Sequence, residues 1–122
     1  MYDANNDNDD FIFVTEGGKE IKLFLAKIKY CESRKKDTII NAENPKDAKK
    51  DFVYLKKKPI GHFKKLLLPK RYIHPHNRFL VNTTYIIGID KTNKYEITIV
   101  GGKKIMPSDR KRGVVIDFHK SK

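Results

Sequence analysis

A single cysteine, Cys31, and no tryptophan stand among the 122 residues. One thiol cannot close an internal disulfide, so packing alone is expected to hold the fold, and such usage suits a reducing cytoplasm. A metal site wants about three or four ligands, and the one cysteine has no companion motif, so neither metal nor cofactor is expected. Apolar runs are also short. None approaches the roughly 20 residues that span a bilayer, and the polar, acidic start is unlike a signal peptide. A cytoplasmic protein with no membrane partner is therefore expected. A glycine-rich phosphate loop, a nucleophile triad motif and a paired-carboxylate motif are all missing, which argues against an enzyme. Without tryptophan, and with 39% hydrophobic residues, a modest core must come from Ile, Leu, Val and Phe with Tyr at its margins.

Basic residues are missing from one place only. Residues 1–10 (MYDANNDNDD) hold Asp3, Asp7, Asp9 and Asp10 with no Lys or Arg, so a chain of net charge +12 carries +16 after residue 10. This Asn- and Asp-rich opening has little to bury and reads as a disordered acidic tail or linker remnant, leaving one domain over residues 11–122. A body so basic repels itself unless it meets polyanion, so nucleic acid or an anionic membrane face is the partner that charge alone suggests.

From Phe11 the apolar period is two. Phe11–Val14, a Gly17-Gly18 turn and Glu20–Ala26 predict a hairpin. Alternation continues through Ile28 and Tyr30 to Cys31, whose place at the end of an apolar strand marks it as core rather than nucleophile. Further strands are expected at 38–41, 52–55, 79–81, 85–89, 95–100 and 104–106, with a loop over 43–50. Between them Ile60, Phe63 and Leu66 or Leu67 fall at helical spacing behind Pro59, and Pro69 ends the helix. Gly113–Phe118 suits strand or helix equally. The fold class is mainly β with one short helix.

Three basic groups stand out. Residues 34–36 are Arg34-Lys35-Lys36, residues 110–112 are Arg110-Lys111-Arg112, and residues 56–71 hold seven Lys or Arg and no acid. A guanidinium forks onto guanine O6 and N7, whereas an ammonium serves as a point charge for phosphate, so loop-borne groups of this kind suit a duplex. Lysines of the 56–71 group equally suit the solvated face of a helix. His74 and His76 flank Pro75, and with Lys or Arg they could supply acid and base to a small basic ribonuclease. A nonspecific RNA-binding protein would suit the same charge.

Read in order, several segments resemble one known family. An opening Phe-x-x-Val strand and Gly turn come first, then Ile28-Lys-Tyr-Cys-Glu-Ser33 and the helix 59–68. Tyr72-Ile-His-Pro-His-Asn-Arg-Phe-Leu-Val-Asn82, Tyr85-Ile86 and Pro107-Ser108 complete the series. The most specific stretch is His76-x-x-Phe79-Leu-Val-Asn82. From about Asp10 to the C-terminus the chain is similar to the LytTR DNA-binding domain of bacterial response regulators. That resemblance implies elongated antiparallel β-sheets of about ten strands with a small helix, and loops that enter two successive major grooves of double-stranded DNA. It also implies paired direct repeats in promoters occupied by two copies, and a receiver domain preceding the domain in the usual arrangement. By position it implies base-reading loops at the stretch before Thr38, at His76-Asn77, and at Arg110 after Pro107-Ser108-Asp109. His74 and Arg78 depart from the family's usual Arg and small residue. Asp37 is a poor neighbour for phosphate, which leaves that contact to Lys35 or Lys36. The expected DNA-binding set is Arg34, Lys35, Lys36, Thr38, His74, His76, Asn77, Arg78, Arg110, Lys111 and Arg112.

Overall fold

In the computed structural model, which describes residues 10–44 and 50–121, ten strands and two α-helices follow the expected order. The first hairpin pairs β1 (Phe11–Glu16) with β2 (Lys19–Phe24), Glu16 standing opposite Lys19. Its two-residue turn needs left-handed backbone, and Gly17 and Gly18 supply it at φ 59° and 81°. Asp10, the first described residue, is tied to the body: its carbonyl accepts the Leu25 N–H at 2.9 Å and its carboxylate pairs with Lys70.

A 3-10 turn at Leu25–Lys27 leads into β3 (Ile28–Arg34), β4 (Asp37–Glu43) and β5 (Asp51–Lys56). After α1 (Ile60–Leu67), β6 (Tyr72–His76) and β7 (Phe79–Asn82) join the same sheet, whose order is β5-β4-β3-β7-β6 with every pair antiparallel. A third sheet holds β8 (Ile86–Asp90), β9 (Glu96–Ile99) and β10 (Lys104–Ile105). The helix α2 (Arg112–Lys120) comes last, so the ambiguous 113–118 segment is helical and the single expected helix becomes two. The loop expected over 43–50 falls largely outside the described residues.

Successive residues of a strand face opposite sides of its sheet, and β7 uses both sides. Leu80 joins a core formed by Cys31, Ile40 and Tyr54 with Phe63 and Leu67 of α1 and Val14, Leu23 and Leu25 of the first hairpin. Val81, the next residue, joins a second core with Ile97, Ile99, Ile105 and Val115, against which Tyr30, Ile73 and Phe79 pack. The β3, β7 and β6 part of the five-stranded sheet is thus covered on both faces, while Val53 and Leu55 of β5 stay exposed. Leu67 rather than Leu66 completes the buried stripe of α1, since Leu66 is exposed. Burial pushes the Cys31 thiol up to about 12, the behaviour of a core side chain.

Asn82, the last residue of the most specific motif, is a structural clasp. Its side-chain amide donates to the carbonyls of Ala26 (3.2 Å) and Ile28 (2.9 Å), and its Oδ1 accepts the Thr84 N–H at 3.0 Å. Tyr72, its partner across β6 and β7, donates its hydroxyl to Leu25 O and Ile28 O at 2.6 and 3.0 Å. Both side chains are buried and fully used. They lock the far end of the sheet and leave the opposite end, where β3 meets β4 and β6 meets β7, to its two turns.

Candidate nucleic-acid interface

Arg34 pairs with Asp37 across β3 and β4, which leaves Lys35 and Lys36 as a two-residue turn. Lys35 sits at φ 58°, a left-handed conformation that a side chain other than Gly or Asn adopts at some cost. Arg34, Lys35 and Lys36 are all exposed. Beside them runs the turn between β6 and β7. Glu32 of β3 stands opposite Phe79 of β7, and the Ser33 N–H donates to Arg78 O at 2.7 Å. The Arg78 guanidinium lies 3.5 Å from Ser33 O and 3.9 Å from the Glu32 carboxylate. The two turns are therefore neighbours at one end of one sheet.

His76 closes the second turn from within. Its Nδ1 accepts the Arg78 N–H at 3.1 Å, and its ring meets Phe79 edge-on with centroids 5.8 Å apart. With the imidazole engaged in the turn, Asn77 and Arg78 present the exposed tip. The third segment arrives along β6, the edge strand. Pro107 is buried, and the Ser108 N–H donates to Pro75 O at 3.0 Å, which docks residues 107–111 beside His74, Pro75 and His76. Asp109 is already taken, since Arg112 donates to its Oδ1 at 2.7 Å. Arg110 is exposed and has no hydrogen bond or ion pair among the described residues. Lys111 and Arg112 are half-buried, and Arg112 serves the local ion pair.

Folding thus gathers Arg34, Lys35, Lys36, His76, Asn77, Arg78, Arg110, Lys111 and Arg112 on one edge. Two members of the expected set do not reach it. Thr38 is fully buried, 0% exposed, with its hydroxyl donated to Lys58 O at 2.8 Å. Its position on β4 faces the first core, so the residue cannot meet a base. His74 is also inside, 6% exposed, with Nε2 unpaired. Burial, with Lys64, Lys111 and His76 nearby, holds its pKa below the usual imidazole range. Regular alternation would put both imidazoles on one face; the register shift between Ile73 and His76 breaks it, leaving His74 buried while His76 closes the turn. A proline between two histidines gives no hint of this break.

Sequence patterns gave no sign of Lys103. It is exposed, and its ammonium stands 5.5 Å from the Phe79 ring centroid and 5.8 Å from that of Tyr30, beside the second turn. Only the packing of the third sheet brings it there, so no local pattern could have indicated it. No group of three or more His, Cys, Asp or Glu that could hold a metal ion occurs among the described residues. Nor is any described helix long and apolar enough to cross a membrane.

Comparisons with known proteins bear on the fold and the family. Among solved structures the chain is similar to a domain described as the LytTr DNA-binding domain of a putative methyl-accepting/DNA response regulator from Bacillus cereus. The TM-score is 0.68 at 22% identity, over 90% of this chain and 94% of that one. At that identity the likeness establishes the fold. No curated protein matches the sequence. The family model for the LytTr DNA-binding domain matches residues 18–115, which include both turns and the Pro107–Lys111 segment. With four-fifths of its length matched by that model, the chain belongs to the LytTR family of DNA-binding domains.

Proposed function

We propose that this chain is the sequence-specific, double-stranded DNA-binding part of a transcription regulator. Arg110 pairs with guanine in one major groove, and Lys35 and Lys36 reach the next. His76, Asn77 and Arg78 lie between, with Arg34 and Lys111 on flanking phosphates. Arg112 fixes Asp109 and so keeps Arg110 free. Two copies occupy paired direct repeats. The observation that carries this reading is the convergence of three basic segments, far apart in sequence, onto one end of one sheet. Duplex DNA offers one negative charge per about 1.7 Å of axis, which a row of strand-end cations can follow, while guanine's paired acceptors suit a free guanidinium.

A ribonuclease built on His74 and His76 would need both imidazoles at the surface, and His74 is buried. Selection of bound fragments from random duplex DNA, with RNA competing, tests the proposal. Recovery of two similar half-sites in direct orientation is expected. Fragments sharing no motif, or preferential retention of RNA, would defeat it.

A further inference from the structure

The basic group at 56–71 does not act as a unit. Lys56 donates to Phe13 O at 2.7 Å and Lys70 pairs with Asp10, so both are used in holding the fold. Lys64 lies near His74. Lys57 and Lys58 differ. Both are exposed, and neither has a hydrogen bond or ion pair from its ammonium among the described residues. They leave β5 at the same end of the sheet as the Lys35–Lys36 turn, because Thr38 stands opposite Lys56 and β4 begins at Asp37. The ladder ends at Lys56, and residues 57–58 bend away from it next to the start of β4.

What keeps the chain there after the ladder ends is the buried hydroxyl of Thr38, which donates to Lys58 O at 2.8 Å. We propose that Lys57 and Lys58 form a phosphate-binding extension of the DNA edge, and that Thr38 is the positioning residue that fixes this extension to the Lys35–Lys36 turn. The inference rests on the DNA-binding reading above and lengthens its footprint past the first turn. Two ammonium groups at this place would also offset Asp37, the acid next to the turn. Thr38 touches no DNA. It acts only through the carbonyl that sets where Lys57 and Lys58 emerge.

The test compares the full chain with Lys57→Ala/Lys58→Ala, Thr38→Val, Thr38→Ser and the triple variant, on a selected duplex and an unrelated one across a salt series. The unaltered protein should show log K falling with log salt; a flat response would remove DNA as the partner and with it the reading beneath this inference. If the unaltered protein responds to salt, the double lysine variant should bind both duplexes more weakly by a similar factor, with a slope shallower by about 1 to 2. An unchanged slope would overturn the extension alone. Thr38→Val should shift the slope the same way, Thr38→Ser should restore it, and adding Thr38→Val to the double lysine variant should change binding no further. A valine effect of equal size in both backgrounds would show that Thr38 works elsewhere. Were Thr38→Val to fail to fold, the exposed lysine pair would still decide the extension, and Thr38→Ala, which removes the hydroxyl and adds no bulk, would take its place in testing the positioning role.

Discussion

Arg110 and Lys36 are both exposed and both cationic, yet they are expected to fail differently when removed. A guanidinium offers two parallel donors that match guanine's O6 and N7, whereas an ammonium meeting phosphate carries no base information. Arg110→Ala should cost about 1 to 3 kcal/mol on the preferred site and much less on unrelated duplex, as measured by titrating both DNAs. Lys36→Ala should weaken both by a similar factor. Because Arg112, not Arg110, holds Asp109, the unfolding free energy of Arg110→Ala should stay within about 0.5 kcal/mol of the parent's. A large loss of stability with an unchanged affinity ratio would mean that Arg110 supports structure.

His74 makes a different prediction at the same scale. Burial lowers its pKa in the folded state, so the unfolded chain takes up a proton first as the pH falls. Stability contributed by the neutral imidazole is present above the unfolded value of about 6.5 and is lost progressively as the pH drops from there toward the lowered folded value. Below that value the loss levels off. Urea midpoints measured from pH 7.5 to 5 should therefore fall for the parent and fall less for His74→Leu, which also removes the unpaired Nε2. Identical pH profiles for the two proteins would contradict this account of His74.

Among the elements, the 3-10 turn at Leu25–Lys27 and the end of β7 depend on each other through Asn82. Three hydrogen bonds converge on its amide, and truncation would leave the Ala26 carbonyl and the Thr84 N–H without this partner and Ile28 O with the Tyr72 hydroxyl alone of its two side-chain donors. Asn82→Ala should cost about 2 to 4 kcal/mol by denaturant unfolding, since each buried group left unsatisfied costs about 1 to 3 kcal/mol. A cost under about 0.5 kcal/mol, the range of surface substitutions, would show that the clasp is not needed. The C-terminal helix is the element whose type the sequence left open. Val114, Val115 and Ile116 are β-branched and suit a strand as readily as a helix. The helix wins because Val115 enters the second core at 0% exposed, a tertiary contact that outweighs weak local preference. Other elements were legible locally. Ile60, Phe63 and Leu67 keep helical spacing between two prolines, and the strands alternate. Lys29 is an exception that alternation conceals: the pairing of β3 with β4 shifts register between Ile28 and Tyr30, and Lys29 turns inside to meet Asp51 at 2.6 Å.

The whole molecule carries +16 beyond residue 10, with exposed cations drawn along one end of its largest sheet. If about six to eight phosphates are neutralised there, log K for duplex DNA should fall with log salt at a slope of roughly −5 to −7. A slope near about −1 would mean that most of these cations stay clear of the backbone. Charge, strand period and the order of motifs from Phe11 to Ser108 are properties of the chain read locally, and by themselves they determined the mainly antiparallel class, the single cysteine's place in the core, the LytTR resemblance and the preference for a polyanion. Only the tertiary structure decided which expected residues stand at the surface. Thr38 and His74 lie in segments as polar as their neighbours, yet strand register turns one toward the first core and the other beneath the Pro107–Lys111 segment. Arg110 is left free because Arg112 reaches Asp109 first, and Lys57 joins the edge because β5 ends where β4 begins. Each outcome depends on strands and segments separated in sequence by ten residues or more, or on a choice between two equally basic neighbours. Burial and pairing are set by such partners rather than by a residue's own neighbours in the chain.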